Sequence, residues 1–112
     1  MTDKIVVLVT CSSAKEARRI AQSLVRDRLA ACVNRLEIPV RSIYRWKEKV
    51  ESAREVMLLI KSTKDKFAAL ERAIKKLHCY DVPEIIALPI AKGSRDYLAW
   101  IADSTRPRRR AR

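Results

Sequence analysis

The one histidine of the chain, His78, is followed directly by a thiol and a phenol, in His78-Cys79-Tyr80. Imidazole and thiolate are good ligands for copper and zinc, and thiolate favours Cu(I) over harder ions. Adjacent side chains rarely complete a site, and structural metal sites normally use four ligands. A further donor therefore has to come from Cys11, Glu84 or a second chain. The competing reading is a surface histidine beside a packed cysteine.

Other chemistry has less support. His78 and Cys79 are neighbours that cannot easily point at each other, and no glycine-rich turn follows a cysteine to hold an oxyanion. Gly93 is the only glycine, so Walker-type and dinucleotide-binding loops are absent. Thr10-Cys-Ser-Ser13 stands where an acylphosphatase-like phosphate loop needs glycines, and these residues read as a helix cap with some capacity for an anion. Glu48, Glu51 and Glu55 scatter among basic residues and are expected to be solvated or ion-paired.

The elements that position these groups follow from periodicity. Val40, Ser42, Tyr44 and Trp46 alternate with Arg41, Arg45 and Lys47, as in a half-buried strand, and Glu55 to Lys61 is apolar on both faces. Together residues 40–61 predict a long antiparallel ribbon. Its tip, Lys47-Glu-Lys49, has no glycine, which disfavours a tight two-residue turn and predicts a looser loop. Arms of about ten residues would each run roughly 33 Å, whereas a compact chain of this size has a radius of gyration of about 13 Å. Exposed Tyr44, Trp46 and strand edges on such a ribbon call for cover from a second copy, so a homo-oligomer is expected, the alternative being a monomer whose ribbon folds back onto its own helices.

Ile5 to Val9 is a continuous β-branched run, the pattern of a central strand. Ser13-Ala-Lys-Glu16 matches a capping box, and Ala17, Ile20, Ala21, Leu24 and Val25 give the apolar face of the helix that follows. Pro39 predicts a bend or bulge in the second strand, and Pro89 an edge position or a bulge for the strand over 85–90. Ser62 and Thr63 are candidate caps for a second helix with a stripe of Phe67, Leu70, Ile74 and Leu77. Ser94 can cap a short helix over 96–102. The order strand, helix, strand, strand, helix, strand is the split βαβ, ferredoxin-like pattern of an α+β protein, with two helices over one sheet face and the other face short of cover.

The chain has 112 residues, a formal net charge of +12 and 48% hydrophobic content, enough for one domain with its own core. Five arginines in the last seven residues supply much of that charge, so residues 105–112 are read as a basic, disordered tail and 1–104 as the folded domain. RNA recognition of the RRM kind needs aromatics on the central strands, and Ile5–Val9 and Val56–Ile60 have none. Nucleic-acid contact through the tail is then salt-sensitive and non-specific. Three cysteines in no zinc-type spacing fit a reducing compartment. With no secretory start and no membrane-length apolar run, a cytoplasmic, non-membrane protein is expected.

Several blocks, in order, resemble one family, the CutA divalent-cation tolerance proteins. They are Val9-Thr-Cys11, Ala17-Arg-Arg-Ile-Ala21, Leu29-Ala-Ala-Cys-Val-Asn34, Ser42-Ile-Tyr-Arg-Trp46, Glu55-Val56, Leu59-Ile-Lys61, Val82-Pro-Glu-Ile-Ile86, Leu88-Pro89, and Tyr97-Leu98 with Trp100. The resemblance implies a ferredoxin-like fold assembled as a homotrimer, similar in architecture to PII signalling proteins, with a role in copper tolerance, binding of Cu2+ and no enzymatic reaction. Of the family's copper ligands only His78 matches: Val9 stands at the cysteine position, Leu77 replaces one histidine and Cys79 the usual proline. Cys11 and Cys79 are the substitutes at hand. Trp46, Lys61 and Tyr80 are candidates for lining an inter-subunit cleft. The alternatives are a PII-like module holding a small anion between subunits, and polyanion binding through the tail.

Overall fold

The computed structural model describes residues 1–107. The chain forms β1 (Lys4–Cys11), α1 (Ala14–Arg26), β2 (Cys32–Trp46), β3 (Lys49–Thr63), a 3-10 turn (Lys64–Lys66), α2 (Phe67–Leu77), β4 (Ile85–Pro89) and α3 (Arg95–Ser104). The sheet order is β2-β3-β1-β4, with every pairing antiparallel. This is the expected ferredoxin-like arrangement. The β-branched run over Ile5–Val9 lies in the middle, paired with β3 on one side and β4 on the other.

Period-two alternation sorts the sheet into two faces. Ile5, Val7, Val9 and Cys11 of β1 and Val56, Leu58 and Ile60 of β3 are buried together with Ala17, Ile20 and Leu24 of α1 and Leu70 and Ile74 of α2. Each large side chain so buried contributes about 1.5–3 kcal/mol, and this helix-covered face is the core. On the opposite face α3 gives partial cover, with Ile101 fully buried and Tyr97 reaching Cys32. Leu36, Ile86 and Leu88 stay half-exposed there.

The ribbon is longer than its sequence signal, with arms of 15 residues each. It stretches the molecule to 53 × 33 × 24 Å and its radius of gyration to 15.0 Å, beyond the roughly 13 Å of a compact chain. Ile38, Ile43 and Val50 along it are 86%, 78% and 65% exposed. The register slips between Leu36 and Val40, which places the expected irregularity at Pro39. Pro89 lies in β4, an edge strand, where its missing N–H costs no ladder bond.

Four local expectations need correction. The ribbon tip is tight: Trp46 pairs with Lys49, and Lys47 and Glu48 take φ of 50° and 72°. That is the twist-matched two-residue turn usually given to Asn-Gly, imposed here on side-chain-bearing residues by the paired arms. Neither Ser62 nor Thr63 caps α2, because Ser62 Oγ donates to the Leu29 carbonyl at 2.6 Å and Thr63 Oγ1 to Asp65. In the capping box, Ser13 Oγ accepts from the Glu16 N–H as expected, but the Glu16 carboxylate reaches Ser12 N–H instead, at 2.9 Å. Finally, packing continues past residue 104: Thr105 is 2% exposed and Arg28 donates to the Ser104 and Arg106 carbonyls. The arginines at 108, 109, 110 and 112, with the disorder expected of them, lie outside the described residues.

Candidate functional site

The end of β1, the start of α1 and the 78–84 segment meet at one corner. His78 caps α2 with its N–H on the Ile74 carbonyl, and its side chain is fully enclosed. Nδ1 accepts the Tyr80 N–H at 3.1 Å, and Nε2 lies 2.7 Å from the Thr10 carbonyl. A carbonyl can only accept, so Nε2 carries the proton and the ring is a neutral imidazole bonded at both ends.

Glu16 ties the corner together. One carboxylate oxygen accepts from the N–H and hydroxyl of Ser12, the other from the Cys79 N–H at 2.8 Å. Burial opposes its ionisation, yet the hydrogen bonds from Ser12 and Cys79 outweigh that and hold its carboxyl below the usual range. Cys11, enclosed at the end of β1, has its thiol pushed up to about 12 by burial, then by the nearby Glu16 charge. Cys79 is exposed, 3.3 Å from Ser12 Oγ.

Ligand atoms of Cys11, Glu16 and His78 lie within 4.8 Å of one another. The sequence reading had His78, Cys11 and Cys79, all of which come to this corner. It missed Glu16, whose acid at the third capping position fully explained itself as a cap and left no further signal. The donor set suits a thiophilic ion such as copper or zinc. Tetrahedral ligands stand about 3.5 Å apart around such an ion, so the corner has to contract. His78 must also release the Tyr80 N–H from Nδ1, or give up both bonds by moving its proton from Nε2 to Nδ1, to offer a lone pair.

Beside this corner, the ribbon and the 78–84 segment enclose a cleft of about 870 Å³ whose lining includes Tyr44, Trp46, Glu55, Tyr80 and Glu84. Trp46 and Tyr80 both line this cleft, which is formed within one chain. Lys61 is not among the lining residues and bonds Asn34 instead. Glu55 corrects the expectation of a solvated or paired carboxylate. It is 6% exposed, accepts the Tyr80 hydroxyl at 2.8 Å, and has no ion pair among the described residues. Burial, with the Glu55 hydrogen bond and charge beside it, raises the Tyr80 phenol well above its ordinary range.

The fold and this corner define a small α+β protein of ferredoxin-like topology with an extended ribbon. Residues 5–104 match the family described as "CutA1 divalent ion tolerance protein". The chain is 50% identical over 100 residues to the divalent-cation tolerance protein CutA of Thermus thermophilus, covering 89% of this chain and 96% of that one. It is 43% identical over 102 residues to the chloroplastic CutA of Arabidopsis thaliana, covering 91% of this chain and 56% of the plant protein. Among solved structures, the Thermus thermophilus CutA1 superposes with a TM-score of 0.85 at 50% identity over 88% of this chain and 94% of that one. Oryza sativa CutA1 gives 0.88 at 43% identity over 92% and 94%. The chain belongs to the CutA family of divalent-cation tolerance proteins.

Proposed function

We propose that this protein acts in divalent-cation tolerance as a non-enzymatic homotrimer that binds a thiophilic ion such as copper weakly, at the corner formed by Cys11, Glu16 and His78 with Cys79 at its mouth. The observation that carries the reading is the convergence of thiol, carboxylate and imidazole within 4.8 Å. Weakness follows from the cost of opening the site. A thiol titrating at about 12 is ionised to only about one part in 10⁵ at neutral pH, and the imidazole has to give up a hydrogen bond. The exposed apolar ribbon and the half-bare sheet face support assembly, since a monomer leaves both in water.

The test is titration of the reduced protein with Co(II), which reports thiolate ligation optically without oxidising thiols, alongside cupric ion. Wild type gives a thiolate band; Cys11→Ser and Cys79→Ser each weaken binding more than tenfold. Equal affinity in all three proteins overturns the site. Sedimentation at micromolar concentration reads the assembly, and a monomer there removes the trimer. The PII-like alternative finds less support, because acids outnumber bases in the cleft lining. Relatives carry differing compartment names, chloroplastic in Arabidopsis and periplasmic for the Archaeoglobus fulgidus structure. No helix among the described residues is long and apolar enough to cross a membrane.

A further inference from the structure

The helical layer carries a basic patch that the fold itself does not compensate. β1 and β3 run antiparallel, so the helices that follow them, α1 and α2, lie antiparallel on the same sheet face. The bond from the Cys79 N–H to Glu16 fastens the first turn of α1 to the end of α2. Lys15, Arg18 and Arg19 stand in the opening turns of α1, and Arg72, Lys75 and Lys76 in the closing turns of α2. Each set has the spacing i, i+3, i+4, which gathers its three side chains on one helix face, opposite the buried stripe of that helix. All six residues are exposed. The antiparallel arrangement sets one triplet beside the other, on axes about 8–10 Å apart.

Local structure gives no reason for this placement. Like charges three and four apart oppose helix formation, and Lys15 adds a cation to the first turn, the positive end of the helix dipole. Each helix contains one acid: Glu16 is turned onto Ser12 and Cys79, and Glu71 pairs with Lys75. Lys15, Arg18, Arg19, Arg72 and Lys76 form no salt bridge among the described residues. The half-bare sheet face lies on the far side of the sheet from the helices, so assembly through it leaves the patch in water. From two adjacent cation triplets, largely unpaired and set against the electrostatics of their own helices, we infer that the outer face of α1 and α2 binds the phosphate backbone of a nucleic-acid duplex. Exposed aromatics able to stack the bases of a single strand lie on the ribbon and α3, not on this face. Val25, toward the far end of α1, is the one exposed large apolar residue of the two helices, which leaves a bilayer without a point of insertion. Contact with phosphates alone positions a duplex without reading its sequence. This inference depends neither on the metal reading nor on the terminal arginines.

The test is fluorescence anisotropy of a labelled, mixed-sequence DNA duplex of about 20 base pairs, titrated with the full-length protein between about 50 and 200 mM salt. Saturable binding that weakens steeply with salt is expected. Arg18→Gln with Arg19→Gln, and Arg72→Gln with Lys76→Gln, should each lower affinity about tenfold at the low-salt end and reduce the salt slope by about 2. Glutamine matches the helix propensity of the residues it replaces, so the thermal midpoint of both pairs should equal or exceed that of wild type. Lys92→Gln with Arg95→Gln removes the same charge from exposed residues at the start of α3 and should weaken binding less than about threefold. Glutamine in place of the arginines at 108, 109, 110 and 112 should leave the losses in the two patch pairs intact. The proposal is overturned by a control pair as damaging as the patch pairs, by patch pairs without effect, or by no saturable binding at about 50 mM salt. A lowered midpoint or a changed sedimentation state in a patch pair also overturns it, because the bases then serve the fold or the contact between copies. So does capture by anionic vesicles in preference to the duplex.

Discussion

His78 Nε2 and the Thr10 carbonyl oxygen stand 2.7 Å apart inside the protein, joining the end of α2 to the end of β1. With the Tyr80 N–H on the other ring nitrogen, this imidazole fastens three segments. His78→Ala leaves a carbonyl and an N–H without partners and opens a void. The expected loss is about 2–4 kcal/mol, read by urea unfolding. Any drop in metal affinity in that variant has to be compared at equal fraction folded.

Glu16 gives an acid-side prediction. Its folded carboxyl titrates below the usual range, whereas an unfolded glutamate titrates at about 4.3. The stabilisation it contributes is therefore fully present above about pH 4.3 and disappears as pH falls through the lower folded value. Glu16→Gln should flatten the pH dependence of stability in that window. A curve identical to wild type would show that the carboxylate is not held by Ser12 and Cys79.

The alkaline side belongs to Tyr80. Its phenol is raised in the fold relative to about 10 in an unfolded chain, so its neutral form is the favoured one. That contribution is intact below about pH 10 and is lost as pH rises toward the folded value. Tyr80→Phe should remove this alkaline sensitivity, and ultraviolet titration should show one tyrosine ionising late in wild type and absent in the variant.

Metal binding, if it engages Cys11, has to displace the proton of a thiol that titrates at about 12. Affinity for Co(II) should then rise at least about tenfold per pH unit between pH 6 and 9, with at least one proton released per ion. A pH-independent constant over that interval places the ion elsewhere.

The ribbon turn is open to improvement. Lys47 and Glu48 both sit at positive φ, where a side chain costs roughly 1 kcal/mol relative to glycine. Glu48→Gly, or Asn-Gly at both positions, should stabilise by about 1 kcal/mol without changing the assembly, as measured by thermal unfolding and sedimentation.

The fold was legible because its signals are strong and local. The β-branched run at Ile5–Val9, the apolar faces around Ile20 and Leu70, and the prolines at 39 and 89 each declare an element or its edge. The ribbon tip was misread because its turn chemistry is overruled by the pairing of the arms, which a glycine rule applied to residues 47–49 cannot register. His78, Cys11 and Cys79 were visible as metal-type residues, but the double hydrogen bonding of His78 depends on a main-chain carbonyl 68 positions away. Glu55 was misjudged for a related reason. Arg54 precedes it and other charges dot the ribbon, and only the 25-residue return that brings the Tyr80 hydroxyl to it reveals an enclosed acid.

The central place of β1 bears on how the molecule is made. Ile5 lies opposite Ser62 on one side and Pro89 on the other, so during translation this greasy segment emerges long before either neighbour exists. Its β3 partner arrives first and its β4 partner last, while the β2–β3 pair can close by itself through the Lys47–Glu48 turn. Synthesis therefore includes an interval in which the future middle of the sheet is unpaired and sticky, the stage at which a nascent copy depends most on chaperones.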